Sequence, residues 1–355
     1  MRLDRMGIDA QPNVEARMTK EEEQIHASRK QSNPRLPATD TGRNVTGLAN
    51  RTIGNRLRRV ARLLPRAAKK PEEDVEYVHD LRVSVRRATA ALQMFALFLP
   101  PTGYSQMIAQ LRRIRGAAGR ARDLDVLEER LCRLAVAGGA TPSLVAAIDR
   151  IRRSRQKAQK PLLKAYEKTL QRDFKRRIRD LSGRVRWRGH GPEPNLDDWA
   201  GAALAPALDR FAARCAGDLS DIRELHRMRI AEKRVRYSLE ILEGAAGSTA
   251  HRSAPILKEL QERLGQINDH QTARALLSRW RDKSKSEDLR EVFSYLAAFE
   301  KQCCDDAHDR FLEWWTSDRK STLHAQIDSI LAGVGGGQRA SAEKAGPAFN
   351  LTAIK

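Results

Sequence analysis

The sequence predicts an all-α protein on three observations. Apolar residues recur at helical spacing over most of the chain, as in Leu81, Val85, Ala88 and Leu92. No segment reads as a series of alternating strands, and Gly and Pro fall mainly between the periodic runs. A basic helical motif at residues 78–92 returns, changed but readable, at residues 225–239. The third observation adds an architecture: duplicated helical bundles related by a pseudo-two-fold axis.

The elements follow in order. Residues 1–44 are polar and mixed in charge and read as a disordered leader, with a short helix at 21–29. An amphipathic helix is expected over 45–64, ended by Pro65. The acidic residues of the linker 69–74 suit the N-terminus of the next helix. That helix carries the first motif and is expected to run to Leu99, where Pro100 and Pro101 stop it. Residues 105–116 lead into a segment reaching about 137, closed by Gly138 and Gly139. Thr141 and Pro142 open the next helix as N-cap and first helical residue. It is expected to run to about 182, with Pro161 as its kink or break. Residues 189–195, Gly-His-Gly-Pro-Glu-Pro-Asn, form a linker.

The second half replays the first, with helices expected over 197–216, 218–243, 256–280 and 286–316, and a short one at 322–331. The repeats therefore span about 45–188 and 196–331, followed by a flexible, Gly-rich tail at 332–355.

The chain of 355 residues carries a formal charge of +21 and a pI near 10.3. Single charge runs are mostly solvated helix faces, but so large a net excess predicts an acidic partner. Nucleic acid, anionic lipid and a phosphate polymer all qualify. Arginine fits phosphate oxygens in a bidentate fork where lysine offers a point charge. Aromatic residues make up 5% of the chain, few for stacking unpaired bases. Cys132, Cys215, Cys303 and Cys304 match no zinc or redox spacing. There is no apolar signal region at the start and no apolar run of membrane-spanning length. A reducing, cytoplasmic setting is expected.

The motif gains chemistry on a helical wheel. With His79 at 0° and about 100° per residue, Arg82 falls near 300° and Arg86 near 340°. Leu81, Val85, Ala88 and Leu92 occupy the opposite arc. The second copy places His226, Arg229, Lys233 and Arg236 in the same stripe, with Met228, Val235 and Leu239 on its apolar face. Each stripe extends about 10 Å along its helix axis, which suits an extended polyanion better than a compact ligand.

A second landmark repeats too. Leu111, Ile114, Gly119 and Asp123 answer Leu257, Leu260, Gly265 and Asp269 at an offset of 146, against 147 for the histidines. Each landmark helix should then face its copy or flank a shared groove. Asp123 and Asp269 are expected to fix the rotamer of a stripe arginine, with Arg82 or Arg122 the partner of Asp123.

These pieces, Val-His-Asp-Leu-Arg-Val-Ser-Val-Arg-Arg, Arg-Asp-Leu-Asp-Val-Leu, Leu-His-Arg-Met-Arg-Ile-Ala-Glu-Lys-Arg-Val-Arg-Tyr and Leu-Gly-Gln-Ile-Asn-Asp, resemble the CHAD family, the conserved histidine α-helical domain. The resemblance covers about 45–331. It implies a pair of four-helix bundles around a basic groove or pore that binds inorganic polyphosphate without catalysis, in the cytoplasm or on polyphosphate granules. No cofactor and no metal are expected.

Carried onto this chain, the binding positions are His79, Arg82, Arg86 and Arg87, then His226, Arg229, Lys233, Arg234 and Arg236, with Arg112, Arg113 and Lys258 as further lining. Thr89 stands where the second copy has Arg236, so the second half is expected to grip harder. The leader is too short for the triphosphate-tunnel domain of CYTH type that many members carry and lacks its Glu-x-Glu-x-Lys signature, so a stand-alone member is expected.

Two other readings compete. Net charge alone allows a nucleic-acid-binding or scaffold protein. His79-Asp80, with Asp123 and Asp125, invites a metal phosphohydrolase, although the second copy has Arg227 in place of Asp80.

Overall fold

The computed structural model describes residues 44–71, 73–74, 76–246 and 255–334. The expectations for a leader helix and for most of the tail lie outside them. Among the described residues there are ten α-helices, one 3-10 turn and no strand. The helices are α1 (Val45–Lys69), α2 (Glu76–Met94), α3 (Pro101–Gly138), α4 (Pro142–Gln171), α5 (Phe174–Ser182), α6 (Leu196–Cys215), α7 (Ile222–Ala246), α8 (Pro255–Lys283), α9 (Glu287–Trp314) and α10 (Ser317–Val334).

Local chemistry sets several helix starts. The side chains of Asn44, Thr141, Asn195 and Ser286 accept hydrogen bonds from the first-turn N–H groups of α1, α4, α6 and α9. Asn44 and Asn195 also pair with each other in an isolated antiparallel bridge.

Three helix ends depart from the sequence expectations. α1 runs through Pro65 to Lys69, because Gln159 of α4 donates to the carbonyls of Ala67 and Ala68, 2.7 Å each, and satisfies the extra turn. α4 also passes its proline. Pro161 sits on the solvent side, where water can replace the lost backbone bond. The break comes instead at Asp173, a non-glycine residue in the left-handed region (φ 43°) whose carboxylate caps α5. α2 ends at Met94, and residues Ala96–Phe98 close it as a 3-10 turn.

α1 to α4 form one bundle and α6 to α9 the other. They meet through α2 on α7, α3 on α8 and α4 on α9. The interface has a polar core and an apolar edge. Glu300 on α9, 2% exposed, accepts from Arg130 of α3 at 2.9 Å and lies 2.8 Å from Nδ1 of His270 on α8. At the edge, Phe95 after α2 stacks on Trp199 of α6, with ring centroids 4.8 Å apart. Trp314 and Trp315 are buried and stacked on one another. No described helix is long and apolar enough to cross a membrane.

Candidate functional site

The site grows from the phase of α2. Val78, Leu81, Val85, Ala88, Ala91 and Leu92 are buried in the first bundle. That turns His79, Arg82 and Arg86 onto the flank shared with α3 and α7. On α3, Gly119 makes the approach feasible: a Cβ there would lie 2.8 Å from the guanidinium of Arg82. One turn on, Asp123 stands 3.8 Å from the same guanidinium. The second bundle repeats the arrangement. Arg229 of α7 lies beside Gly265 and 3.6 Å from Asp269 of α8. The two landmarks of each half thus touch within their own bundle.

Across the bundles the stripes face one another. Arg86 lies close enough to Arg229 and Lys233 to act electrostatically on both. Burial, and then the neighbouring Arg229 and Arg86, push the Lys233 amine down to about 8. Burial also lowers Arg82 and Arg229, while Asp123 and Asp269 oppose the shift. For His79, burial and then Arg122 disfavour the charged ring, so it offers neutral hydrogen bonding near pH 7. Buried Glu232, one residue before Lys233, is raised to about 7 by burial against the pull of Arg236, Lys233 and Arg229.

Distance separates open cations from committed ones. The contacts of Arg82 with Asp123, of Arg229 with Asp269 and of Arg122 with Glu76 span 3.6–3.8 Å. That is charge contact beyond hydrogen-bonding range, so these guanidinium N–H groups can still receive an oxygen. The Nε atoms of Arg86 and Arg229 are buried with no hydrogen-bond partner.

Arg87 differs: it donates to Glu240 of α7 at 2.8 Å, tying the bundles together. Arg236 donates to the same carboxylate at 3.0 Å, lies 3.8 Å from Glu232 and sits over the ring of Tyr237. The extra cation of the second stripe is therefore committed, while Thr89 bonds only its own helix, at Val85 O.

The remaining positions scatter. His226 is exposed, with Nδ1 3.2 Å from the side-chain oxygen of Asn268. Arg234 is exposed on the far side of α7. Lys258 pairs with Glu262 at 3.5 Å on the surface of α8. Arg112 is exposed on the helix face of Gly119, about 10 Å away along the axis. Arg113 points elsewhere and lines a cleft with Arg172 and Arg177.

Sequence reasoning passed over Arg115. It acts on Arg82 together with Arg122 and sits one turn before Gly119, so a wheel centred on that glycine would have found it. Arg279 of α8 adds a further positive charge near Asp123. At the positions of Arg115 and Arg122 the second half has Gln261 and Asn268. Open cations are denser in the first half, the reverse of the expectation drawn from Arg236.

The arrangement presents unsaturated cationic donors from two facing helices to an anion. The carboxylates that a metal hydrolase would need are separated and engaged. Asp80 lies 3.8 Å from Arg59 and Asp125 is bound by Arg155. Among the described residues no group of three or more His, Cys, Asp or Glu side chains could hold a metal ion.

Two solved structures resemble this fold. The crystal structure of the CHAD domain from the plant Ricinus communis superposes with a TM-score of 0.60 at 21% identity, covering 86% of this chain and 96% of its own. PptA from Streptomyces chartreusis gives 0.56 at 18% identity, covering 76% and 98%. No curated protein matches the sequence. The CHAD domain family model matches residues 51–278, from the body of α1 to the last turns of α8, and so includes both stripes and both aspartates. The chain belongs to the CHAD domain family.

Proposed function

We propose that the protein binds inorganic polyphosphate in the seam between its bundles and does not turn it over. One observation carries this reading: Arg82, Arg86, Arg229 and Lys233 converge from two facing helices with donors still unsaturated. A linear polyanion answers that geometry, because successive phosphoryl groups can meet successive cations without unstacking or base readout. The like-with-like packing of α2 on α7 and α3 on α8 also supports the reading of an internal duplication, with the seam on its axis.

A competition titration tests the proposal. Long-chain polyphosphate should bind with a steep salt dependence, a log–log slope of about −3 for four phosphate contacts on a flexible strand. Duplex DNA at equal phosphate concentration should displace it poorly. Efficient displacement would favour the nucleic-acid reading instead. Release of orthophosphate from tripolyphosphate with Mg²⁺ or Mn²⁺, lost in His79→Ala, would overturn the claim of pure binding.

The pH dependence has a definite sign. Glu232, raised to about 7, is mostly neutral at pH 6 and charged at pH 8. Lys233, lowered to about 8, is charged at pH 6 and loses its proton above 8. Both steps make the seam less positive as pH rises, so polyphosphate affinity should fall from pH 6 to pH 9. Binding near pH 7.5 should take up protons, read by calorimetry in two buffers of different ionisation enthalpy. Glu232→Gln should remove the lower step and Lys233→Arg the upper one.

A further inference from the structure

We propose a second anion-binding site at the corner of α3, α4 and α5, fitted to a compact phosphoryl anion of the size of pyrophosphate. It is separate from the seam. A cleft of about 410 Å³ is lined by Gln106, Ala109, Arg113, Arg172 and Arg177, three guanidinium side chains and no carboxylate. Like charges gathered around one space repel each other unless an anion joins them. The nearest acidic side chain in the chain turn, Asp173, is occupied in capping the Arg176 N–H of α5. Among the described residues Arg113 and Arg172 form no ion pair or side-chain hydrogen bond. Arg177 is positioned by a 2.9 Å bond to Gln106.

The backbone explains how the three arginines come together. Arg172 is the C-cap of α4, and the chain turns at Asp173 with φ 43°, a left-handed conformation that aspartate tolerates better than most residues and that its capping bond to Arg176 N–H supports. That turn lays α5 against α1 and lets Arg177 reach Gln106 near the start of α3, so Arg177 and Arg172 meet Arg113 around one space. A straight continuation of α4 would have carried Arg177 away. Arginine suits the role because its planar fork engages two phosphate oxygens at once. An adjoining cleft that shares Gln106 and Arg177 adds Arg184 but also Asp180. The added carboxylate limits the favourable surface to the Arg113 side and sets a compact ligand rather than a polymer as its occupant.

Pyrophosphate titrated into the full chain by calorimetry tests this. The Arg113→Ala/Arg172→Ala double variant should lose pyrophosphate affinity by about tenfold or more and keep its affinity for long-chain polyphosphate. Arg86→Ala/Lys233→Ala should do the reverse. Both corner residues are exposed, so the variant should melt like wild type. Arg113→Lys/Arg172→Lys keeps the charge and removes the forks, and it should bind pyrophosphate more weakly than wild type. Unchanged pyrophosphate binding in the alanine variant would overturn the corner site. So would loss of that binding in the seam variant alone, which would place pyrophosphate in the seam. Failure of long-chain polyphosphate to bind at all would count against the seam and leave the corner to stand on its own titration.

Discussion

Arg86→Glu is expected to weaken long-chain polyphosphate binding by about a hundredfold while leaving the thermal midpoint unchanged or about 2 °C higher. The two effects share one cause. Arg86 sits beside Arg229 and Lys233, and its Nε is buried with no hydrogen-bond partner. Without an anion, these cations repel one another in a partly desolvated seam. A carboxylate at position 86 would satisfy its neighbours and repel phosphate. Fluorescence titration and calorimetric melting read the two quantities separately. Undiminished affinity would remove Arg86 from the site. A midpoint many degrees lower would make Arg86 a structural residue instead.

Glu300→Ala should be the most destabilising single change in the interface, at about 3–5 kcal/mol. It would leave Arg130 and His270, both 14% exposed at the side chain, without their shared carboxylate. An uncompensated buried cation costs far more than the pair contributes when intact. The midpoint should fall by about 10 °C, and Glu300→Gln, whose amide oxygen still accepts, should cost less. Saturating polyphosphate should recover part of the loss, because a ligand held by both bundles favours the docked form. A shift of only a degree or two would show that the apolar edge at Phe95 and Trp199 holds the bundles without the buried carboxylate.

Much of this was legible in the sequence where the determinant is local. The apolar phase of α2 fixes which side its arginines take, and the same phase in α7 fixes theirs. Repetition at nearly one offset marks Asp123 and Asp269 as partners of stripe arginines, and the structure picks out Arg82 for the first and Arg229 for the second. The signal failed where a distant residue decides. Glu240 lies 153 residues from Arg87, so nothing near position 87 shows that its charge is committed. Arg236 reads as a gain over Thr89 until Glu232 and Glu240 are seen around it. Pro65 looks like a helix stop because its remedy, Gln159, belongs to another helix. Arg113 was chosen for closeness along the chain to the second landmark, whereas the helix face, and not the interval, brings Arg115 to the seam.

The paired glycines of α3 and α8 show how one shared motif can carry unequal constraints. A glycine within a helix sacrifices roughly 1 kcal/mol of helix propensity relative to alanine. At Gly265 nothing approaches nearer than 3.9 Å, so alanine would fit and the helix would gain. At Gly119 the berth is occupied at 2.8 Å by the tip of Arg82. A methyl group there would leave the helix in place and displace the guanidinium from Asp123. Alanine is therefore a neutral spelling at one of the two positions and a rewiring of the charge network at the other.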